Sequence, residues 1–188
     1  MSSLPLAVIV VDVQESFRHR PYFRASDLEA YLERQQALID GAAAIGVPVV
    51  QIFHVEDSGP FAESSGHVRT LEPLRIEPTA VFRKRRHSAI VGTGLDVWLV
   101  RNGIRRLAIS GIRTEQCCET TTRHASDLGF AVDFVSEATL TFPMTDRLGR
   151  EWSAGEIRAR TELVLEDRFA RIATVEQALA DVARKAAA

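Results

Sequence analysis

The sequence predicts an α/β fold, a three-layer doubly wound arrangement with six mainly parallel strands and helices on both faces. Short β-branched runs alternate with amphipathic helical patterns along the chain, which is the signature of a parallel sheet covered on both sides. No linker, repeat or low-complexity segment interrupts the alternation, so residues 1–188 are expected to form a single domain.

The first strand is Leu6 to Val11, an unbroken apolar run. Ser26 and Glu29 have capping-box spacing and open a helix whose Leu28, Tyr31, Leu32, Leu38, Ile39 and Ala42 share one face; Gly46 closes it ahead of Pro48. Strand two then runs from Val47 to Phe53. From His54 to Pro78 the chain is rich in Ser, Gly, Pro and Glu without helical period, and a loop of that length inside a compact unit is usually functional. Strand three, Thr79 to Arg83, ends at Lys84. Thr93 and Asp96 cap a helix from Leu95 to Arg101, and Gly103 ends it before strand four, Leu107 to Ser110. The next helix runs from Glu115 to about Leu128, followed by Gly129 and a fifth strand, Ala131 to Val135. Ser153 with Glu156 opens another helix, Arg171 to Ala173 makes the last strand, and Thr174 caps the final helix.

Composition excludes several classes of function. A hydrophobic content of 46% in 188 residues is enough for a real core, and a net charge of -2 offers no global field for nucleic acid or an anionic membrane. No apolar run approaches the ~20 residues of a spanning helix, and Met1 to Pro5 lacks the basic segment of a secretory signal. Both cysteines, Cys117 and Cys118, are adjacent and cannot staple distant segments, which favours a reducing, cytoplasmic setting.

The chemistry gathers at three strand ends. Gly111 breaks strand four, and the chain restarts as a helix carrying Cys117, where unpaired N–H groups and the helix dipole stabilise a thiolate. Asp12 follows strand one and Lys84 follows strand three. A carboxylate can take the thiol proton and an ammonium can hold both anions, so Asp12, Lys84 and Cys117 form a plausible catalytic triad. In doubly wound sheets, ligands bind outside the carboxyl ends of the strands, where all three lie. Successive helical residues point about 100° apart, so one cysteine of the pair faces the crevice and the other packs inward.

With these residues in view, the chain resembles the cysteine hydrolases of the isochorismatase-like superfamily, which includes nicotinamidases and N-carbamoylsarcosine amidohydrolase. The resemblance rests on Val10-Val11-Asp12-Val13-Gln14 with Phe17, on Lys84 followed by Ser88-Ala89 and Gly92-Thr93-Gly94-Leu95, and on Gly111-Ile112-Arg113-Thr114-Glu115-Gln116-Cys117. It implies strand order 3-2-1-4-5-6, Cys117 as the nucleophile, Cys118 as a buried thiol, and a cis peptide between Ile112 and Arg113. The same resemblance implies that the N–H groups of Arg113 and Cys117 receive an oxyanion. It also implies a homodimer or homotetramer.

Each residue has a plainer reading. Asp12 alone is a turn former, and the run Arg83-Lys84-Arg85-Arg86 alone is a solvated basic edge; without interleaved aromatics it argues against nucleic acid. The joint match outweighs those readings. Phe17, His54 and His87 are assigned to substrate binding, with a core role for Phe17 equally open. Nicotinamidases carry an Asp-x-His metal pair after strand two, where this chain has His54 and Glu56, with His67 farther on. No metal or cofactor is assigned, and His54 is read as a pocket or supporting residue. His19 and His124 are read as surface or helix residues.

The expected activity is hydrolysis of an amide or carbamoyl C–N bond of a small molecule through a thioester. Two other readings compete. One is isochorismatase-type cleavage of a vinyl ether without a covalent intermediate, and the other is a non-catalytic small-molecule or protein-binding domain.

Overall fold

The computed structural model describes residues 4–26 and 28–186, with side chains up to residue 180. Six parallel strands form one sheet in the order β3-β2-β1-β4-β5-β8. They are β1 Leu6–Val11, β2 Val49–His54, β3 Ala80–Lys84, β4 Arg106–Ile112, β5 Ala131–Leu140 and β8 Arg171–Ile172. The helices are α1 Leu28–Ala44, α2 Leu95–Arg101, α3 Glu119–Asp127, α4 Ala154–Leu165 and α5 Val175–Ala186. The expected order 3-2-1-4-5-6 holds, with one change of count. The segment between β5 and α4 folds into a small antiparallel hairpin of β6 (Met144–Thr145) and β7 (Glu151–Trp152), so the last strand of the sheet is the eighth in the chain.

Alternate residues of β1 divide between the two cores. Leu6, Val8 and Val10 pack with Leu38 and Ile39 of α1 and with Ala178 and Leu179 of α5. Ala7, Ile9 and Val11 pack with Leu95 and Leu99 of α2, Ala125 of α3 and Leu165 of α4. A central strand buried on both faces must be apolar throughout, which is why β1 reads as a continuous hydrophobic run. Burial on α1 falls on Leu28, Tyr31, Gln35, Leu38, Ile39 and Ala42, with Leu32 partly buried. The cap expected at Ser26 abuts Asp27, which lies outside the described residues.

Other caps follow from local chemistry. Ser153 and Glu156 form a reciprocal capping box at α4, and Thr174 accepts from the Gln177 N–H while Gln177 accepts from the Thr174 N–H. At α2 the capping position is Gly94, in the left-handed region. Thr93 Oγ1 accepts from the Leu95 N–H at 3.2 Å, and no side chain at Asp96 takes part.

Two departures shape the site. The helix expected from Glu115 begins as one π-helical turn, Thr114–Cys118, and becomes α-helical only at Glu119. Strand five continues past Val135 to Leu140 through a bulge, since Ile109 pairs with Phe134 but Gly111 pairs with Thr139. Thr139 Oγ1 then donates to Ser136 O and receives a hydrogen bond from Thr114 Oγ1 at 2.8 Å, so the bulge anchors the first residue of the π turn.

Candidate active site

At the carboxyl end of β1 the chain turns sharply at Asp12, whose φ of 52° lies in the left-handed region that aspartate tolerates better than most residues. Its N–H remains bonded to Ile52 O at 2.9 Å, which ties the turn to β2. On the neighbouring β4, Gly111 has a φ of +124°, and a Cβ built there would lie 2.0 Å from Val11 O. Only glycine allows β1 and β4 to approach this closely where Asp12 and the π turn must meet. The Ile112–Arg113 peptide is cis.

Lys84, the last residue of β3, sits at the centre. Its Nζ lies 2.7 Å from Asp12 Oδ2 and 3.2 Å from Cys117 Sγ. Two further acceptors complete its surroundings, His54 Nδ1 at 3.1 Å and Arg86 O at 3.0 Å. The Asp12 and Lys84 side chains are almost fully enclosed, whereas Cys117 keeps 8% of its surface open and exposed His87 places Nδ1 3.9 Å from Cys117 Sγ. Of the three groups, the sulfur is therefore the one that a molecule outside can touch. Cys118 is fully buried among apolar residues.

Electrostatics set the protonation of the resting site. Burial is the largest effect on Asp12 and raises its carboxyl above the usual range, against the opposing pull of Lys84. Burial also pushes the Cys117 thiol up to about 12, reinforced by the Asp12 charge and opposed by Lys84. Desolvation disfavours the Lys84 ammonium, but Asp12 and Cys117 outweigh it and the amine is raised. A helix N-terminus favours a thiolate, but the packed surroundings hold the resting Cys117 toward the thiol that Asp12 must deprotonate. Burial and the adjacent carboxylate outweigh the dipole and the opposing Lys84 charge.

The other expected residues fall around this centre. His54 is the register partner of Lys84 across β2 and β3, and its backbone is held from both sides by Gln14, which accepts from His54 N–H at 2.8 Å and donates to His54 O at 3.1 Å. Burial lowers its pKa to about 4, with Lys84 and His87 adding to the effect, so the ring is neutral near pH 7. An ammonium only donates, so Nδ1 accepts from Lys84 and the ring hydrogen sits on Nε2, facing Glu56 Oε1 at 3.6 Å. Phe17 belongs to the core. It is buried and meets Phe61 edge-on at 5.0 Å, and Phe61 in turn meets His54 at 5.7 Å. His67 stacks on His19 at 3.7 Å, and among the described residues no group of three or more His, Cys, Asp or Glu side chains could hold a metal ion. His124 Nδ1 pairs with Ser88 Oγ at 2.9 Å, fixing the segment after Lys84 to α3.

The π turn is braced from beneath. Arg113 O accepts from both Gln116 N–H and Cys118 N–H at 3.2 Å, and the Arg113 guanidinium lies over Tyr22, 4.9 Å from its ring centre, and pairs with Glu115 at 3.0 Å. Thr141 Oγ1 donates to Glu115 at 2.5 Å. Sequence reasoning did not place Gln14 or Glu56 beside His54, or Thr139 against the π turn. The signal for Gln14 was its place in the strand-one motif, but its partner lies forty residues away and is visible only in the fold.

The Isochorismatase domain family matches residues 6–177. The chain belongs to the isochorismatase family. It is 29% identical over 180 residues to an uncharacterised isochorismatase family protein, YrdC, of Bacillus subtilis, covering 93% of this chain and 95% of that one. It is 38% identical over 152 residues to Nicotinamidase 3 of Arabidopsis thaliana, covering 72% of this chain and 73% of that protein. An isochorismatase family crystal structure from Chromobacterium violaceum superposes with a TM-score of 0.88 at 28% identity, covering 98% of this chain and 96% of that one. Isochorismatase family membership and the six-stranded parallel sheet thus agree with the reading of the motifs.

Proposed function

We propose that this isochorismatase family hydrolase is a cysteine amidohydrolase that cleaves an amide or carbamoyl C–N bond of a small molecule through a thioester on Cys117. The observation that carries this reading is the buried Lys84 ammonium placed between the Asp12 carboxylate and the Cys117 sulfur. The similarity to a protein named as a nicotinamidase supports it. In the first step Asp12 accepts the Cys117 proton as sulfur attacks the carbonyl carbon, and a Lys84 N–H stabilises the developing thiolate. The backbone N–H groups of Arg113 and Cys117 receive the oxyanion, a donor set for which about 3 kcal/mol of barrier per well-aimed hydrogen bond is typical.

Asp12 then returns the proton to the leaving amine as the C–N bond breaks. A water deprotonated by the same carboxylate hydrolyses the thioester, and the released thiolate recovers a proton. His87, exposed beside the sulfur, contacts the incoming substrate, and His54 supports the centre from the side of β2. No metal or cofactor takes part in these steps, and the partners are the small-molecule substrate and further copies of the chain.

The test is an ammonia- and amine-release screen over small carboxamides, carbamoyl compounds and lactams. Turnover of at least one class that disappears in Cys117→Ala supports the proposal. Turnover of a vinyl ether that survives in Cys117→Ala assigns the non-covalent chemistry instead.

A further inference from the structure

Lys84 carries three N–H hydrogens and faces four acceptors, Asp12 Oδ2, Arg86 O, His54 Nδ1 and Cys117 Sγ, at 2.7 to 3.2 Å. While Cys117 keeps its proton, its sulfur is the weakest acceptor of the four, and the three hydrogens go to the carboxylate, the carbonyl and the imidazole. A thiolate is a far stronger acceptor and must take one of them. The carboxylate is charged and enclosed. His54 is a neutral acceptor on a partly exposed side chain, so it yields the hydrogen more readily than the enclosed carboxylate.

We propose that His54 is a positioning residue that competes with Cys117 for a Lys84 N–H, holding the resting nucleophile as a thiol and yielding that hydrogen when the thiolate forms. The surroundings are built for this role. Gln14 fixes the His54 backbone on both sides, and Phe61 packs edge-on to the ring. The Lys84 contact at Nδ1 sets the ring hydrogen on Nε2, and the Glu56 carboxylate 3.6 Å away favours that hydrogen electrostatically and so makes Nδ1 the better acceptor. The other charged or titratable groups facing the centre are Asp12 from the end of β1, Cys117 from the π turn and His87 after β3, and none of them changes in the variants below. The proposal rests on Cys117 being the nucleophile, but not on the identity of its substrate.

The experiment is the pH profile of Cys117 alkylation by iodoacetamide, read peptide by peptide by mass spectrometry so that Cys118 is counted separately. In His54→Leu the acceptor is gone and a Lys84 N–H is free for sulfur at all times. The alkylation midpoint should fall by about one pH unit, raising the rate at pH 7 about tenfold. His54→Asn places an amide oxygen where Nδ1 stood and should stay within about twofold of the parent. Glu56→Gln changes an exposed position and should raise the rate about two- to threefold, keeping the idea testable if the leucine variant does not fold. An unchanged or higher midpoint in His54→Leu overturns the proposal, as does an asparagine variant that behaves like leucine. With the leucine variant unfolded, an unshifted Glu56→Gln overturns it. Alkylation needs no substrate, so an amide screen that finds no turnover leaves this result standing.

Discussion

Two ion clusters, each centred on a buried charge, lie at opposite ends of the sheet, and they are built on opposite principles. At the amino end, Asp133 of β5 is saturated. Its Oδ2 pairs with Arg106 at the start of β4 and its Oδ1 with Arg171 at the start of β8, and the two guanidiniums also donate to Ala178 O and Gln177 O of α5. At the carboxyl end one ammonium serves a carboxylate, a thiol, an imidazole and a carbonyl, more acceptors than it has hydrogens. The first arrangement satisfies every charge and holds three strands to a helix. The second leaves one hydrogen bond in competition beside a buried carboxylate and a thiol, an arrangement suited to the proposed nucleophilic chemistry.

The contrast predicts which variants lose activity and which lose stability. The largest effect is expected from Cys117→Ala, which should lower turnover of an identified amide about ten-thousand-fold with little change in the urea midpoint. Asp12→Asn should lower turnover about a thousandfold while accelerating alkylation of Cys117. The thiol is held up to about 12 first by burial and next by the Asp12 charge, and removing that charge leaves the lowering pull of the Lys84 ammonium unopposed by the carboxylate. Slower alkylation in this variant would break the distinction between the clusters.

Asp133→Asn reverses the pattern. Removing the shared anion of a buried cluster should cost about 3 kcal/mol in denaturant unfolding while kcat of the folded enzyme stays within about twofold. A variant that keeps its stability but loses kcat would show that the amino-end cluster is not a structural device.

The smallest effect comes from His54. Its pKa is lowered from 6.5 to about 4 in the folded protein, so the unfolded chain takes up a proton that the folded one resists. The corresponding stability is present above pH 6.5 and is lost as the pH falls through about 4. Discounted for partial exposure, the loss is about 1–2 kcal/mol, and His54→Asn should remove that part of the acid slope.

Much of this architecture is legible in local sequence. The apolar run Leu6 to Val11, the face of α1, and the caps at Ser153 and Thr174 depend on neighbours within a few positions, and period and cap chemistry report them directly. Asp12, Lys84 and Cys117 were each visible at a strand end, and the parallel sheet with β1 between β2 and β4 brings those ends together. What local reading lacked was register. The extension of β5 to Leu140 depends on a bulge opposite Ser110, and the π turn depends on Thr139 reaching Thr114. The contact between His54 and Lys84 depends on their pairing across β2 and β3. The resting protonation of Cys117 depends on the fold in the same way. A helix N-terminus is visible in the sequence, but the burial that overrides it belongs to the packed molecule.

The central claim is that Cys117 becomes covalently acylated, and it is tested most directly by acid-quenching the enzyme during turnover of an amide it hydrolyses and weighing the Cys117 peptide. The account predicts a mass increase equal to the substrate acyl group on that peptide, lost on base treatment and absent from Cys117→Ala. Continued turnover with no acyl adduct, together with full activity in Cys117→Ala, would contradict it.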